Sequence, residues 1–361
     1  MIEFNRKGDV KKRRGKNYPI GHLLSRVPVQ GDIGIEIECE GNKFPKGTST
    51  IATYWKYTKD GSLRGMDNAE YVLKSPIGFN NVEKAVKKLD SYLKEFGTKL
   101  DESNRTSVHV HLNVQNFHLN RLAAFLGMFF PLEEVLTEWC GDHRVGNLFC
   151  LRGKDAPAIV SGFRKFIERD GCCQLEQNFH YAGVNGNALH KFGSVEFRFL
   201  RGCTDFSEII TWCKILQRMY EFSAEFPDPR TLVDSFSGQG PLAFMDMILG
   251  EYSPIVRNQV AWDNQRIMSS LYDGIRLAQD ICYCRDWEEY NPVRVSIDPF
   301  GRVKPAEYVS SPVSPLDFAQ AFTTTISHPT ISHPAPELDD DDSEFDPSEY
   351  DPSEYDPDEE F

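Results

Sequence analysis

The chain has 361 residues, 40% of them hydrophobic, 26% charged and 12% aromatic, with a formal net charge of −14. This composition suits a globular protein with a sizeable core, and no apolar run reaches the roughly 20 residues that a membrane span needs. The charge belongs to one end: residues 337–361 hold fourteen acidic residues and no basic ones, so residues 1–336 are formally neutral and the low isoelectric point describes a tail.

Residues 1–30 form a polar, basic lead-in with Arg6, Lys7, Lys11, Lys12, Arg13, Arg14 and Lys16. It reads as a disordered arm or as an anchor for an acidic partner. Residues 31–40 alternate Ile33, Ile35 and Ile37 with Asp32, Gly34, Glu36 and Glu38, the period of a strand. A second short strand is predicted over 69–73 and stops at Ser75-Pro76. An amphipathic helix follows over 81–96, with Val82, Ala85, Val86, Leu89, Tyr92 and Leu93 on one face and Asn80 or Asn81 as its cap. Residues 107–114 alternate again as a strand. A long helix over 119–139 is expected to be kinked or split by Pro131. Then come a helix over 158–169, a strand over 194–200, and helices over 207–224 and 266–284.

Strands and helices interleave irregularly and no Gly-rich βαβ fingerprint occurs, which argues against a doubly wound parallel sheet. An α+β domain with a mostly antiparallel sheet, over residues 31–290, fits better. Residues 291–336 read as a Pro/Ser/Thr-rich linker, with Ile-Ser-His-Pro at 326–329 echoed at 331–334. In the acidic tail a Ser-Glu-Phe/Tyr-Asp-Pro unit recurs at 343–347, 348–352 and 353–357. Such a repeat cannot bury a core, so a disordered solubilising or docking tail is expected. The nine cysteines show no pair of C-x-x-C knuckles, so no structural zinc site is indicated. An odd count without a leader peptide points to reduced thiols and a cytoplasmic setting.

Three predicted strands share an unusual pattern. Gly34-Ile35-Glu36-Ile37-Glu38, Val108-His109-Val110-His111-Leu112 and Val195-Glu196-Phe197-Arg198-Phe199 each place two polar groups two residues apart. Residues i and i+2 of a strand point to the same face. If the three strands share a sheet, one face carries three carboxylates, two imidazoles and a guanidinium. Any one pair alone reads as a solvent-exposed face. Together, the mutually repelling carboxylates call for cations, and hard oxygen donors suit Mg²⁺ or Mn²⁺.

Gly34 to Glu38, then Asp60-Gly61-Ser62, Glu70 leading to Lys74-Ser75-Pro76, His109-Val110-His111, and Glu196-Phe197-Arg198 resemble the ordered motifs of the amidoligase family. That family is related to glutamine synthetase and glutamate–cysteine ligase. Arg144, Asn147 and Cys150, the 181–185 segment ending in Asn185, and the helix with Trp212 continue the likeness, which covers roughly residues 31–225. The aromatic, basic spacer at 41–59 finds no place in the pattern, and residues 226–361 carry nothing diagnostic.

The resemblance implies a glutamine-synthetase-like catalytic domain, a curved sheet with helices on one face, and an ATP- and Mg²⁺-dependent ligase. Such an enzyme joins a carboxylate to an amine through an acyl phosphate. By the same likeness, Glu36, Glu38, Glu70, Glu196 and His109 would hold Mg²⁺ (or Mn²⁺), and His111 would touch nucleotide phosphate or substrate. Arg198 would stabilise the transferring phosphoryl group. Arg144 and Arg201 would meet phosphate or a substrate carboxylate, or else form structural ion pairs. Asp60 would hold the incoming ammonium, or simply serve its Asp-Gly-Ser turn. Asn185 would orient substrate or make an ordinary loop hydrogen bond, and Cys150 reads as a small buried hydrophobe. Amino acids, amines or peptides are the expected substrates, with a protein partner conceivable for the tail; neither membrane nor nucleic acid is indicated. The alternatives are a binding protein that kept the fold and lost turnover, and a metal-dependent hydrolase.

Overall fold

The alternating segments pair into one sheet in the computed structural model, which describes residues 18–45, 51–59, 63, 67–101, 103–173, 175, 181–288 and 290. In chain order the strands are β1 (Ile33–Asn42), β2 (Trp55–Thr58), β3 (Asn68–Leu73), β4 (Lys99–Leu100), β5 (Ser107–Asn113), β6 (Val184–Asn185) and β7 (Ser194–Arg201). Their order across the open sheet is β2-β3-β1-β5-β7-β6, with β4 paired to the end of β1. Every ladder between them is antiparallel.

The helices are α1 (Ile20–Leu23), α2 (Val82–Phe96), α3 (Leu119–Cys140), α4 (Pro157–Glu168), α5 (Asn187–Phe192), α6 (Phe206–Phe222), α7 (Arg230–Gln239), α8 (Pro241–Leu249), α9 (Ser253–Val260) and α10 (Asn264–Cys282). Among the described residues none is long and apolar enough to cross a membrane.

One face of the sheet is uniformly apolar because of the period of two. Ile35 and Ile37 of β1, Val108 and Val110 of β5, and Phe197 and Phe199 of β7 are all buried. Helix α3 packs on this face: the ring of Phe129 lies 4.9 Å from that of Phe197 and 5.4 Å from that of Phe199, and Phe125 lies 5.7 Å from Phe197. Because α3 is apolar nearly all round, it is buried nearly all round.

Pro131 neither splits nor ends α3, which stays one element of 22 residues. The local penalty of an internal proline is outweighed by packing on several sides. Helix α10 can approach closely at that point because it offers Gly274. A Cβ there would lie 2.7 Å from the Phe130 carbonyl oxygen and from Pro131 Cα. Gly127 repeats the device, since its Cβ would meet Cys282 Sγ at 2.5 Å.

Three further details depart from expectation. The 41–59 spacer supplies β2, whose Trp55 is buried and donates its indole N–H to the Ala85 carbonyl of α2 at 2.9 Å. Asn81 occupies the N-cap position of α2 but makes no side-chain capping bond, because the chain enters the helix through a 3₁₀ turn at Phe79–Asn81. The lead-in is not wholly an arm. Ile20 is buried and donates its N–H to the Phe117 carbonyl, while Gln115 bonds Val27 and Val29. Residues 1–17, the linker and the acidic tail lie outside the described residues.

Candidate metal centre

The other face of the sheet is polar and buried. Antiparallel register sets its side chains in rows. Glu36 stands opposite His109 and Glu38 opposite Glu70; His111 stands between Gly34 and Glu196. Gly34 brings no side chain to this row and so leaves room beside the imidazole. A bulge shifts the β5–β7 register between Val108 and Val110, and Arg198 falls there, beside His109. Glu36, Glu70, His109, His111 and Glu196 are each no more than 1% exposed.

The centre of the group is a trio: Glu36, His111 and Glu196 each present a ligand atom, and the three atoms lie within 4.8 Å of one another. His111 Nε2 is 3.6 Å from Glu36 Oε1 and 3.8 Å from Glu196 Oε1. These separations are too long for hydrogen bonds and suit a shared ion. Ser194 Oγ lies 3.3 Å from His111 Nδ1 and so can orient the ring. Asn185 donates to Glu196 Oε2 at 2.6 Å, and Arg198 donates to Glu196 Oε1 at 2.7 Å.

His109 is engaged differently. Its Nε2 is 2.8 Å from Ser107 Oγ, and its Nδ1 is 3.2 Å from Glu36 Oε2 and 3.5 Å from the Arg198 guanidinium. Ser107 holds Glu38 as well, through its N–H and its hydroxyl, both at 2.8 Å. His109 also borders the carboxylates, with Nδ1 3.6 Å from Glu196 Oε1 and Nε2 3.6 Å from Glu38 Oε1, so both histidines of the H-x-H pair face the acidic group and His111 completes the trio.

Among the described residues, four carboxylates here meet the Arg198 guanidinium and, at the half-buried edge, the Lys56 ammonium. Burial, reinforced by Glu196 and Glu38, raises the Glu36 carboxyl well above its usual range, with Arg198 opposing. A proton, or a cation in its place, is needed to keep it there. Burial also acts on Glu196, but Arg198, His111 and the Asn185 amide outweigh it and hold that carboxyl below its usual range. Burial and Arg198 push His109 well below the ordinary imidazole value. Burial pushes His111 down to about 4, with Arg198 adding to the shift and Glu196 opposing it. Both imidazoles are neutral at pH 7, the form in which a histidine can ligate a metal. Lys56 is lowered by burial and held up by the charges of Glu70 and Glu36.

The donor set fits a divalent cation. Glu36 Oε1 is buried without a hydrogen-bond partner among the described residues, a costly state for a carboxylate oxygen that an ion would relieve. Two carboxylates and one imidazole are a harder set than the sulfur- and histidine-rich ligands of structural zinc.

The structure places the remaining candidates as follows, Asp60 excepted. Arg144 is buried, and its guanidinium donates to the Phe199 and Arg198 carbonyls at 2.9 and 2.6 Å, which pins the bulged strand. Cys150 is buried with Sγ 3.3 Å from the Arg144 carbonyl oxygen. Arg201 lies at the far end of β7, paired with Glu208 at 2.6 Å and bonded to the Cys140 carbonyl at 3.2 Å. Asp60 lies outside the described residues. Sequence reasoning passed over Ser107, Ser194 and Lys56. The two serines sit two residues before His109 and Glu196, so the same alternation that marked those residues puts the serines on the polar face. Lys56 shares that face only because β2 joins the sheet. No family model matches the chain, and no curated protein matches it.

Proposed function

We propose that the chain is an ATP-dependent carboxylate–amine ligase with a glutamine-synthetase-like catalytic domain, forming an amide or peptide bond through an acyl phosphate. The observation that carries this reading is the convergence of Glu36, His111 and Glu196 on one buried point, in a sheet face that also holds Glu38, Glu70, His109 and Arg198. These residues come from four strands, β1, β3, β5 and β7, in the chain order of the motifs that carry the family resemblance.

In this reading Glu36, Glu196 and His111 hold one Mg²⁺, and Glu38 and Glu70, opposite each other on β1 and β3, provide carboxylates for a second. Bound there, the ions would neutralise nucleotide phosphate oxygens and align them with the attacking carboxylate. Arg198 spends one guanidinium nitrogen on Glu196, and its Nε has no partner among the described residues. It therefore has donors left for a phosphoryl group gaining negative charge. His109, Ser107 and Asn185 position the carboxylates. The buried face excludes water, which protects an acyl phosphate from hydrolysis.

The test is ADP release, with condensation products sought by mass spectrometry in mixtures of ATP, Mg²⁺, amino acids, polyamines and peptides. Turnover should need Mg²⁺ and both organic substrates and should vanish in Glu196→Gln. Metal-dependent cleavage of the peptides without nucleotide would instead establish a metal-dependent hydrolase, the reading that a His-plus-two-carboxylate site also supports. Metal binding with neither reaction would leave a non-catalytic binding protein.

A further inference from the structure

A cleft of about 450 Å³ opens at the end of β7 beyond Arg198, walled by Glu138 and Trp139 of α3, Asp142 and His143 of the following turn, and Arg201. This size lies within the range of about 300–1,000 Å³ typical of small-molecule sites. It borders the acidic face: Arg201 stands opposite Ser107, the residue that holds Glu38 and His109. From Ser107 to His111 is four strand positions, roughly 13 Å.

Two residues of the cleft wall each carry a buried polar atom with no partner among the described residues. One is the indole N–H of Trp139, a residue only 2% exposed. Burying such a donor unpaired is costly unless a ligand or water completes it. The other is Nε2 of His143. The Asp142 carboxylate, 3.5 Å from Nδ1, favours the proton on that nitrogen and leaves Nε2 as an acceptor. Burial and the nearby Arg144 charge keep this imidazole below its ordinary value, hence neutral. Arg201 adds a fixed cation whose bonds to Cys140 and Glu208 leave N–H donors to spare. Glu138 and Asp142 add negative charge. The cleft thus offers donors with a cation, and acceptors with carboxylates, within one small volume.

We infer that this cleft binds a free α-amino acid, with Trp139 and Arg201 taking its carboxylate and His143, Asp142 and Glu138 facing its ammonium group. Its role as a ligation substrate rests on the ligase reading; the binding itself does not.

The experiment is calorimetric titration of the full chain, without nucleotide, with each of the twenty common amino acids. Any that binds is compared with its N-acetyl and C-amide derivatives. Saturable binding at about 1 mM or tighter is expected for at least one, and each blocked derivative should lose about tenfold or more, the loss of one hydrogen bond to a charged group. Trp139→Phe, which keeps a ring and removes the N–H, should weaken binding by about tenfold. Because Trp139 is a core residue, His143→Ala in the turn serves as the second variant and should weaken binding likewise. Absence of binding at that level, equal binding of the blocked forms, or indifference to His143→Ala overturns the inference. Amino-acid binding without ADP release would sink the ligase reading alone; ADP release without amino-acid binding would sink this inference alone.

Discussion

The two faces of the central sheet are equally dry and chemically opposite. Ile35 and Glu36, neighbours on β1, are each 1% exposed. The apolar face is closed by α3, whose phenylalanines fit Phe197 and Phe199, and its burial stabilises the fold. The polar face gathers carboxylates whose burial works against stability unless a cation joins them. A single alternating strand therefore serves two purposes: odd residues hold the molecule together, and even residues hold charge in readiness. Substitutions on the two faces should fail in opposite ways.

The sharpest contrast is expected from Glu36→Gln. Its carboxyl is already raised by burial and by Glu196 and Glu38, so a neutral amide imitates the cation-free state. Stability without added metal should change by no more than about 1 kcal/mol, measured by urea denaturation. Mn²⁺ binding should be lost, and turnover should fall on the order of a thousandfold, about 4 kcal/mol in the barrier. Unchanged Mn²⁺ affinity would remove Glu36 from the centre.

Phe129→Ala probes the apolar face. It deletes a fully buried ring between Phe197 and Phe199 and should destabilise the fold by about 3–5 kcal/mol through lost transfer energy and a residual cavity. Any loss of Mn²⁺ affinity should follow the fraction unfolded rather than exceed it. A stability change below about 1 kcal/mol would mean that this face is not the structural one.

A third test concerns a buried carboxylate outside the polar face. Glu133 on α3 is 2% exposed, and both its oxygens accept the Gly153 N–H at 2.9 Å. Burial pushes its pKa up to about 8 despite that bond. A raised folded value means that the native state holds a proton the unfolded chain gives up. Stability is then full below the unfolded value of about 4.5 and declines as pH rises through about 8. The loss should be on the order of a few kcal/mol, seen in urea midpoints between pH 5 and pH 9, and Glu133→Gln should flatten it. An unchanged slope in that variant would assign the dependence elsewhere.

Much of this was legible because a strand's period is rigid. The pairs Glu36/Glu38, His109/His111 and Glu196/Arg198 had to share faces once their segments were strands. Register was not legible. How the two histidines are set against Glu36 and Glu196 depends on a bulge beside Arg198 and on the offset between β5 and β7, which no local pattern encodes. The edge strand β2 was missed because four residues are too few to show a period. Helices α7 to α9, of 10, 9 and 8 residues, were missed for a similar reason. At Pro131, α3 stays continuous where α10 packs closely against it through Gly274, more than a hundred residues away in the chain, a contact that no local pattern encodes.

The smallest expected effect separates the residues that ligate from those that aim them. Ser194 Oγ lies 3.3 Å from His111 Nδ1, on the side of the ring away from Glu36 and Glu196. If its hydroxyl accepts the N–H of Nδ1, it fixes the tautomer in which Nε2 carries the lone pair that a metal would take. Ser194→Ala removes that constraint without touching a ligand. Mn²⁺ affinity should fall by about 10- to 100-fold, as for other partners of metal-bound histidines, while stability moves little. The fall should also be smaller than that of His111→Ala, and Ser194→Thr should restore part of it by returning the hydroxyl. If Ser194→Ala binds Mn²⁺ as well as the parent chain, His111 is held by its own packing against Phe192, whose ring centre lies 5.9 Å away, and the polar face owes its geometry to shape rather than to hydrogen bonds.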